Sequence, residues 1–383
     1  MIVHVIHTLA YVFAVLALCG AGFLSLAIFA IVRWKQVAHP PAVFTPTTSI
    51  LKSLRGTDRG MYEAFRSHCL QDYPEFELLF GVSDPQDPAI AEVERLQREF
   101  PGRNIRLIHC PKQLGANGKI STLSQMLPHA TGTIFLINDS DITVQPDYLR
   151  KVAAHFSDER TGMVTALYRA EPGDSLASRI EALTVATDFA AGVLSARIVE
   201  GGIHFALGST LAIRRSVLDE IGGLAPLLDY LADDYELGVR SSQAGYRVAL
   251  ADTVVETHLP SYGFREMIAH QLRWARTIRD RRIGGYIGLL FTFALPWALL
   301  ASVFSAAAPW SILLLAIIGV LRLGEASLLC DTVLDDRRAR RDLWLVPLRD
   351  FLALYVWLVS FASSTVTWRG ETFRVSRGKL TRV

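Results

Sequence analysis

Thr8 to Val32 runs for 25 residues without a charged side chain, and this run constrains the chain more than any other feature. About 20 apolar residues suffice to cross a bilayer as a helix, because a helix satisfies its own backbone polar groups where no water can. A cleaved signal peptide fits less well. Its apolar core spans about 7–15 residues behind a basic start, and Met1 to His7 holds no Lys or Arg. Arg33 and Lys35 follow the run, so the positive-inside bias places what comes next in the cytoplasm.

The remainder cannot be wholly lipid-embedded. The 383 residues are 51% hydrophobic and 20% charged, with 39 basic and 37 acidic side chains. That apolar content excludes a disordered chain, and that many charges exclude one that lives entirely in a membrane. A net charge of +2 gives no field that would gather nucleic acid. Cys19, Cys69, Cys110 and Cys330 form no C-x-x-C pair and no metal spacing, which predicts reduced thiols.

A second apolar region begins after Arg282. Tyr286–Ser305 and Trp310–Leu323 read as a helical hairpin, with Trp310 at a membrane interface. Arg337, Arg338, Arg340 and Arg341 then mark a cytoplasmic stretch, as do Arg369, Arg374, Arg377, Lys379 and Arg382. Leu343–Ser364 lies between them and carries Arg349 and Asp350, charges that are expensive in lipid. With both basic stretches inside, this segment does not cross. The expectation is three spanning helices plus one re-entrant or interfacial segment.

Between the apolar ends, Thr48–Leu54, Glu77–Val82, Ile105–His109 and Thr133–Ile137 read as strands. Met61–Leu70, Ile90–Phe100 and Lys119–Leu127 read as the helices between them. Such alternation predicts βαβ units and a mainly parallel sheet, whose ligands bind beyond the carboxyl ends of the strands. Carboxylates occupy those places: Asp84 and Asp87 after the second strand, Asp139 and Asp141 after the fourth, and Asp233 and Asp234 at the start of a later helix. Singly, each loop is equally readable as a turn or a helix cap. Asp139-Ser140-Asp141 is the sharpest, because two carboxylates one residue apart suit a hard cation such as Mg²⁺ or Mn²⁺ shared with a diphosphate. Gly115-Ala116-Asn117-Gly118-Lys119 precedes a helix and is a weak phosphate-loop signal. His270-Gln271-Leu272-Arg273-Trp274-Ala275-Arg276 reads either as a basic helix lying on the membrane or as a diphosphate contact.

As an ordered set these motifs resemble the lipid-directed inverting glycosyltransferases of the GT-A class, and within them the ceramide glucosyltransferase family (glycosyltransferase family 21) with its bacterial relatives of hopanoid biosynthesis. The family pattern of three Asp sites and a Q/R-x-x-R-W motif falls here on Asp87, Asp139, Asp234 and His270–Trp274, with His270 departing from the usual Gln or Arg. The resemblance implies an α/β GT-A domain with a Rossmann-like mixed sheet plus transmembrane helices. It implies Asp234 as general base, with Arg273 and Trp274 beside it in catalysis. Asp87, Lys119, Asp139, Asp233, His270 and Gln271 would contact substrate, and Asp139 and Asp141 would hold the metal. The implied donor is UDP-glucose or UDP-N-acetylglucosamine and the implied acceptor a lipid of the bilayer. A hopanoid polyol comes first and ceramide second, at a bacterial inner membrane with the catalytic domain cytoplasmic. A processive polysaccharide synthase and a non-catalytic membrane scaffold are the alternatives.

The expected organisation is a membrane helix over residues 1–35, the catalytic domain over 36–262 and an amphipathic helix with the RW motif over 263–282. A membrane region over 283–364 and a basic tail over 365–383 complete it. Thr365–Val375 alternates around Arg369-Gly370 and predicts a hairpin. Asp174–Glu200 reads as a helix, either simply packed or lining a path from the membrane, and His204 beyond it as structural.

Overall fold

The computed structural model describes residues 2–368 and 371–382. Seven strands form the central sheet: β1 (Thr48–Leu54), β2 (Phe76–Val82), β3 (Ile105–His109), β4 (Ile134–Ile137), β5 (Thr161–Glu171), β6 (Leu211–Arg214) and β7 (Arg247–His258). Their order is β3-β2-β1-β4-β6-β5-β7. β6 runs antiparallel to both its neighbours, and the other pairings are parallel. β1, β2 and β4 are nearly continuous apolar runs because helices cover both faces of the sheet. One face packs Phe65, Phe80, Leu96 and Tyr148, and the other packs Leu79, Leu123, Phe135 and Leu237. The chain leaves β1 for β2 on one side and comes back to β4 on the other, so the crevice at the carboxyl ends of β1 and β4 is the switch point where such sheets take ligands.

The first helix spans Ile2–Lys35. Gly20 allows the closest approach of another helix, since a Cβ there would lie 2.6 Å from Ala294 Cα. The expected second membrane segment, Tyr286–Ser305, is not one straight helix. Ile283–Thr292 and Ala294–Phe304 meet at a 52° bend. Pro296 has no N–H for the Thr292 carbonyl and its ring crowds that turn, so the helix restarts at Phe293. Ala306–Ala308 then turn the chain into the helix Pro309–Leu329, where Trp310 stacks on Tyr11 at 5.5 Å. Among the described residues, four helices can cross a membrane by length and composition, His4–Lys35, Leu176–Val199, Pro309–Leu334 and Leu343–Ser360, with a fifth if the bent pair is one span.

Arg349 and Asp350 do not meet lipid alone. Arg322 and Arg349 both pair with Asp188 and Asp350, and Arg322 also holds Glu325 at 2.6 Å. A π-helical turn over Val185–Phe189 carries Asp188 toward both guanidiniums. The tail forms a second sheet of β8 (Thr365–Trp368), β9 (Glu371–Ser376) and β10 (Lys379–Arg382) in the order β10-β9-β8. The hairpin was expected, although its turn at Arg369-Gly370 lies outside the described residues, and the third strand was not expected. All four cysteines are free thiols.

Candidate active site

The acidic loops stand where the strands end. Asp87, after β2, is buried and accepts the Gly56 N–H on both oxygens (3.0 and 2.9 Å) and the Ala89 N–H at 2.9 Å. It ties the loop after β1 to the loop after β2 and so shapes one wall of the crevice.

Asp139, after β4, is half-exposed and receives the Lys119 ammonium at 2.6 Å. Lys52, in the interior of β1, donates to the Asp139 carbonyl at 2.9 Å. Its complete burial pulls its pKa down to about 7, against the opposing pull of Asp141 and Asp139. Asp141 accepts from the Thr257 hydroxyl and the His258 N–H at the end of β7. Burial, then the Asp139 charge, raises its pKa above the usual carboxylate range. A carboxylate with raised proton affinity beside an exposed carboxylate is a place where a divalent cation relieves repulsion. Among the described residues no third His, Cys, Asp or Glu ligand converges on this pair. Such a donor set fits Mg²⁺ or Mn²⁺ completed by diphosphate oxygens and water.

Lys119 connects this pair to the next. Its Nζ also lies 3.7 Å from Asp233 Oδ2. Burial would lower its pKa, but Asp139 and Asp233 outweigh burial and hold it well above its ordinary value. Asp233 and Asp234 open the helix Asp233–Gln243. Asn117 Nδ2 donates to Asp233 Oδ1 at 3.2 Å, and Asp233 Oδ2 is buried without a hydrogen-bond partner. Burial raises the pKa of Asp233, and burial together with the Asp233 charge raises that of Asp234 to about 6. Asp234 accepts its neighbour's N–H, from Tyr235 at 2.8 Å, and Gly208 leaves room for it: a Cβ there would come within 3.0 Å of Oδ2.

The Gly115–Lys119 segment does not present an open phosphate loop. The N–H groups of Leu114 to Asn117 are taken by Ser121, Asp229 and the Leu228 carbonyl, and Asn117 caps the helix Gly118–Met126. What this segment brings to the acidic groups is the Lys119 side chain.

His270, Gln271, Arg273 and Trp274 lie on one helix, Phe264–Arg281. The His270 and Trp274 rings meet at 4.7 Å, and His270 Nδ1 donates to Glu181. Glu181 is fully buried and also accepts from the Tyr262 hydroxyl. Gln271 Nε2 is buried without a hydrogen-bond partner. The basic residues after the motif are engaged by protein: Arg276 donates to the Thr365 carbonyl, Arg279 to the Ser363 carbonyl, and Arg281 pairs with Glu236. His204, read as structural, hydrogen-bonds Ser242 at 2.8 Å.

Sequence reasoning missed Lys52, Glu181, Thr257 and Tyr168. Tyr168, on β5, lies within electrostatic reach of Asp234, Asp139, Glu181 and Asp141, and burial plus these four charges hold its phenol protonated. The one signal available beforehand was Lys52, a charge inside an otherwise apolar strand.

The profile described as Glycosyl transferase family 21 matches residues 10–381. The chain is similar to Ceramide glucosyltransferase 1 of Caenorhabditis elegans, 26% identical over 248 residues, 62% of this chain and 53% of that protein. It is also similar to Beta-monoglucosyldiacylglycerol synthase of Synechocystis sp., 26% identical over 250 residues, 63% of this chain and 48% of that one. It thus spans about half the length of the curated relatives it matches. Among solved structures, a mannosyltransferase from Pyrobaculum calidifontis in complex with GDP-Man and Mn²⁺ aligns with TM-score 0.55 and 19% identity, covering 93% of this chain and 99% of that one. That likeness shows a GT-A-like fold.

Proposed function

Since the chain belongs to glycosyl transferase family 21, we propose that it transfers a hexose or N-acetylhexosamine from a UDP-sugar to the hydroxyl of a membrane lipid, with inversion at the anomeric carbon. The observation that carries this reading is the linked series Asp139–Lys119–Asp233 with Asp234 beside it, beyond the carboxyl end of β4. The relatives named above are a ceramide glucosyltransferase and a monoglucosyldiacylglycerol synthase, which supports a lipid acceptor. A hopanoid polyol is our first choice and ceramide the second, at a bacterial inner membrane with the catalytic domain in the cytoplasm.

In the proposed reaction the acceptor oxygen attacks the sugar C1 as the bond from C1 to the diphosphate oxygen breaks. Asp234 takes the hydroxyl proton, and a carboxylate with a pKa of about 6 is ionised yet basic at neutral pH. Asp233 holds that pKa up, and Lys119 keeps the adjoining charges from repelling each other. Asp139 and Asp141 would hold a divalent cation, which would offset charge on the departing UDP. Arg273 and Gln271 would face the diphosphate, Trp274 and His270 would pack against the donor, and Asp87 would contact its uridine portion.

Incubating purified protein with UDP-glucose and UDP-N-acetylglucosamine in parallel, over hopanoid polyol, ceramide and diacylglycerol, tests the proposal through mass spectrometry of the lipid product. A glycolipid from one donor is expected. No product and no UDP release with any of the lipids would sink it.

A further inference from the structure

A second group of ligating side chains lies where the first helix joins the catalytic domain. His39 follows the end of that helix by four residues, with its ring edge-on to Trp34 at 5.1 Å. His155 opens the short turn after helix Tyr148–Ala154 and is 7% exposed. Asp252 stands on an irregularity in β7: pairing with β5 passes from Ala166↔Ala251 to Leu167↔Val254, so Asp252 and Thr253 are extruded. One ligand atom from each of His39, His155 and Asp252 lies within 4.8 Å of the other two.

Two features distinguish this group from an ordinary polar contact. His39 Nδ1 and His155 Nε2 are each buried without a hydrogen-bond partner. Buried polar atoms are nearly always satisfied, so two orphaned imidazole nitrogens in one cluster mark a missing binding partner. The cluster also adjoins a cleft of about 230 Å³ lined by Trp34, His39, Asp252 and Thr332, which gives an ion a way in. A contrasting group, Glu171, Glu256 and His258, has no such vacancy, because Arg59, Arg169 and Arg338 already neutralise its carboxylates.

We propose that His39, His155 and Asp252 form a Zn²⁺ site that pins the linker after the first membrane helix to the catalytic domain. Two imidazoles and one carboxylate are a borderline-soft donor set that suits zinc rather than Mg²⁺. Bonds of about 2.0–2.2 Å to a tetrahedral ion need donors about 3.4 Å apart, so ligand atoms within 4.8 Å of one another close by at most about 1.4 Å on binding, with water as fourth ligand. The site is separate from the Asp139 pair. Asp252 lies five residues along β7 from Thr257, which touches Asp141, and five residues of strand span about 15 Å.

The test uses the full chain in nanodiscs carrying Asp139→Asn and Asp141→Asn, so that the acidic pair cannot bind the probe. Titration with Zn²⁺ alone, and with Co²⁺ followed by its visible absorption, should show one equivalent bound, a tetrahedral Co²⁺ spectrum and no competition from millimolar Mg²⁺. His39→Gln and Asp252→Asn, both outside the packed core, should each weaken Zn²⁺ binding at least about tenfold while leaving the unfolding midpoint in chelator unchanged. The proposal is overturned if the parent shows no binding tighter than about 100 μM, or if either variant binds as the parent does.

Discussion

In the proposed reaction, Asp234 concentrates the chemistry at the residue scale. Its carboxyl is pushed up to about 6, first by burial and then by Asp233, while the Tyr235 N–H and Lys119 pull it down. A base acts only when ionised, so kcat/KM should fall as pH drops below about 6. Asp233→Asn removes the adjacent negative charge and keeps the side-chain shape. The acidic limb of the kcat/KM profile should then move to lower pH, and an unmoved or raised limb would show that another group is the base. Asp234→Asn should bind UDP as before and lose transfer by about 10²–10⁴-fold. Activity within a few-fold of wild type would remove Asp234 from that role. These carboxylates were legible in the sequence because each follows an apolar strand or opens a helix, positions read along the chain. Glu181 and Tyr168 were not legible. They sit within elements whose pattern reports burial, and their meaning comes from His270, Asp139 and Asp234, which are distant in sequence.

Single helices and strands were read nearly to the residue where apolar runs end in turn residues: β1 and β3 have the expected bounds, and β2 and β4 differ by one residue at their starts. What periodicity does not carry is the partner across a helix face. Arg349 and Asp350 read as a cost within an apolar segment, yet they belong to a five-residue ion network with Arg322, Asp188 and Glu325 that joins three helices. Arg322 is the hub, touching all three carboxylates. Arg322→Leu would leave Asp188, Asp350 and Glu325 with Arg349 alone, and breaking a buried pair from one side costs about 3–5 kcal/mol. A clear drop in the thermal midpoint of the purified protein is expected. Arg340→Gln, which removes a half-exposed pair with Asp331 and an exposed hydrogen bond to the Ser327 hydroxyl, should leave the midpoint nearly unchanged. Equal effects from the two substitutions would show that the network contributes no more than a surface pair.

Connections between the helices and the sheet constrain how the whole molecule sits in a bilayer. Helix Leu176–Val199 passes on length and apolarity, but it leaves β5 and returns to β6, neighbours in one sheet, so it cannot cross once. The same parity holds for Leu343–Ser360. Before it, Arg338 pairs with Glu171 and Glu256, and Arg169 donates to the Leu334 carbonyl, which fastens residues 334–338 to the catalytic sheet. After it, β10 is fastened to the loop before Asp233, since Leu380 donates to the Asp229 carbonyl at 2.7 Å and Leu231 to that of Gly378 at 3.2 Å. Both ends of the segment are therefore on the side of the central sheet, which predicts that it enters and leaves the bilayer surface from there. The predicted crossings are then the first helix, the bent pair and Pro309–Leu334. That arrangement places the Ala306–Ala308 turn on the far face and the C-terminal sheet with the active site. In intact cells, a cysteine introduced by Ala307→Cys should react with a membrane-impermeant maleimide. One introduced by Thr381→Cys should react only after permeabilisation. If Ala307→Cys were also protected until permeabilisation, the bent pair would be a re-entrant loop, and only the first helix would cross.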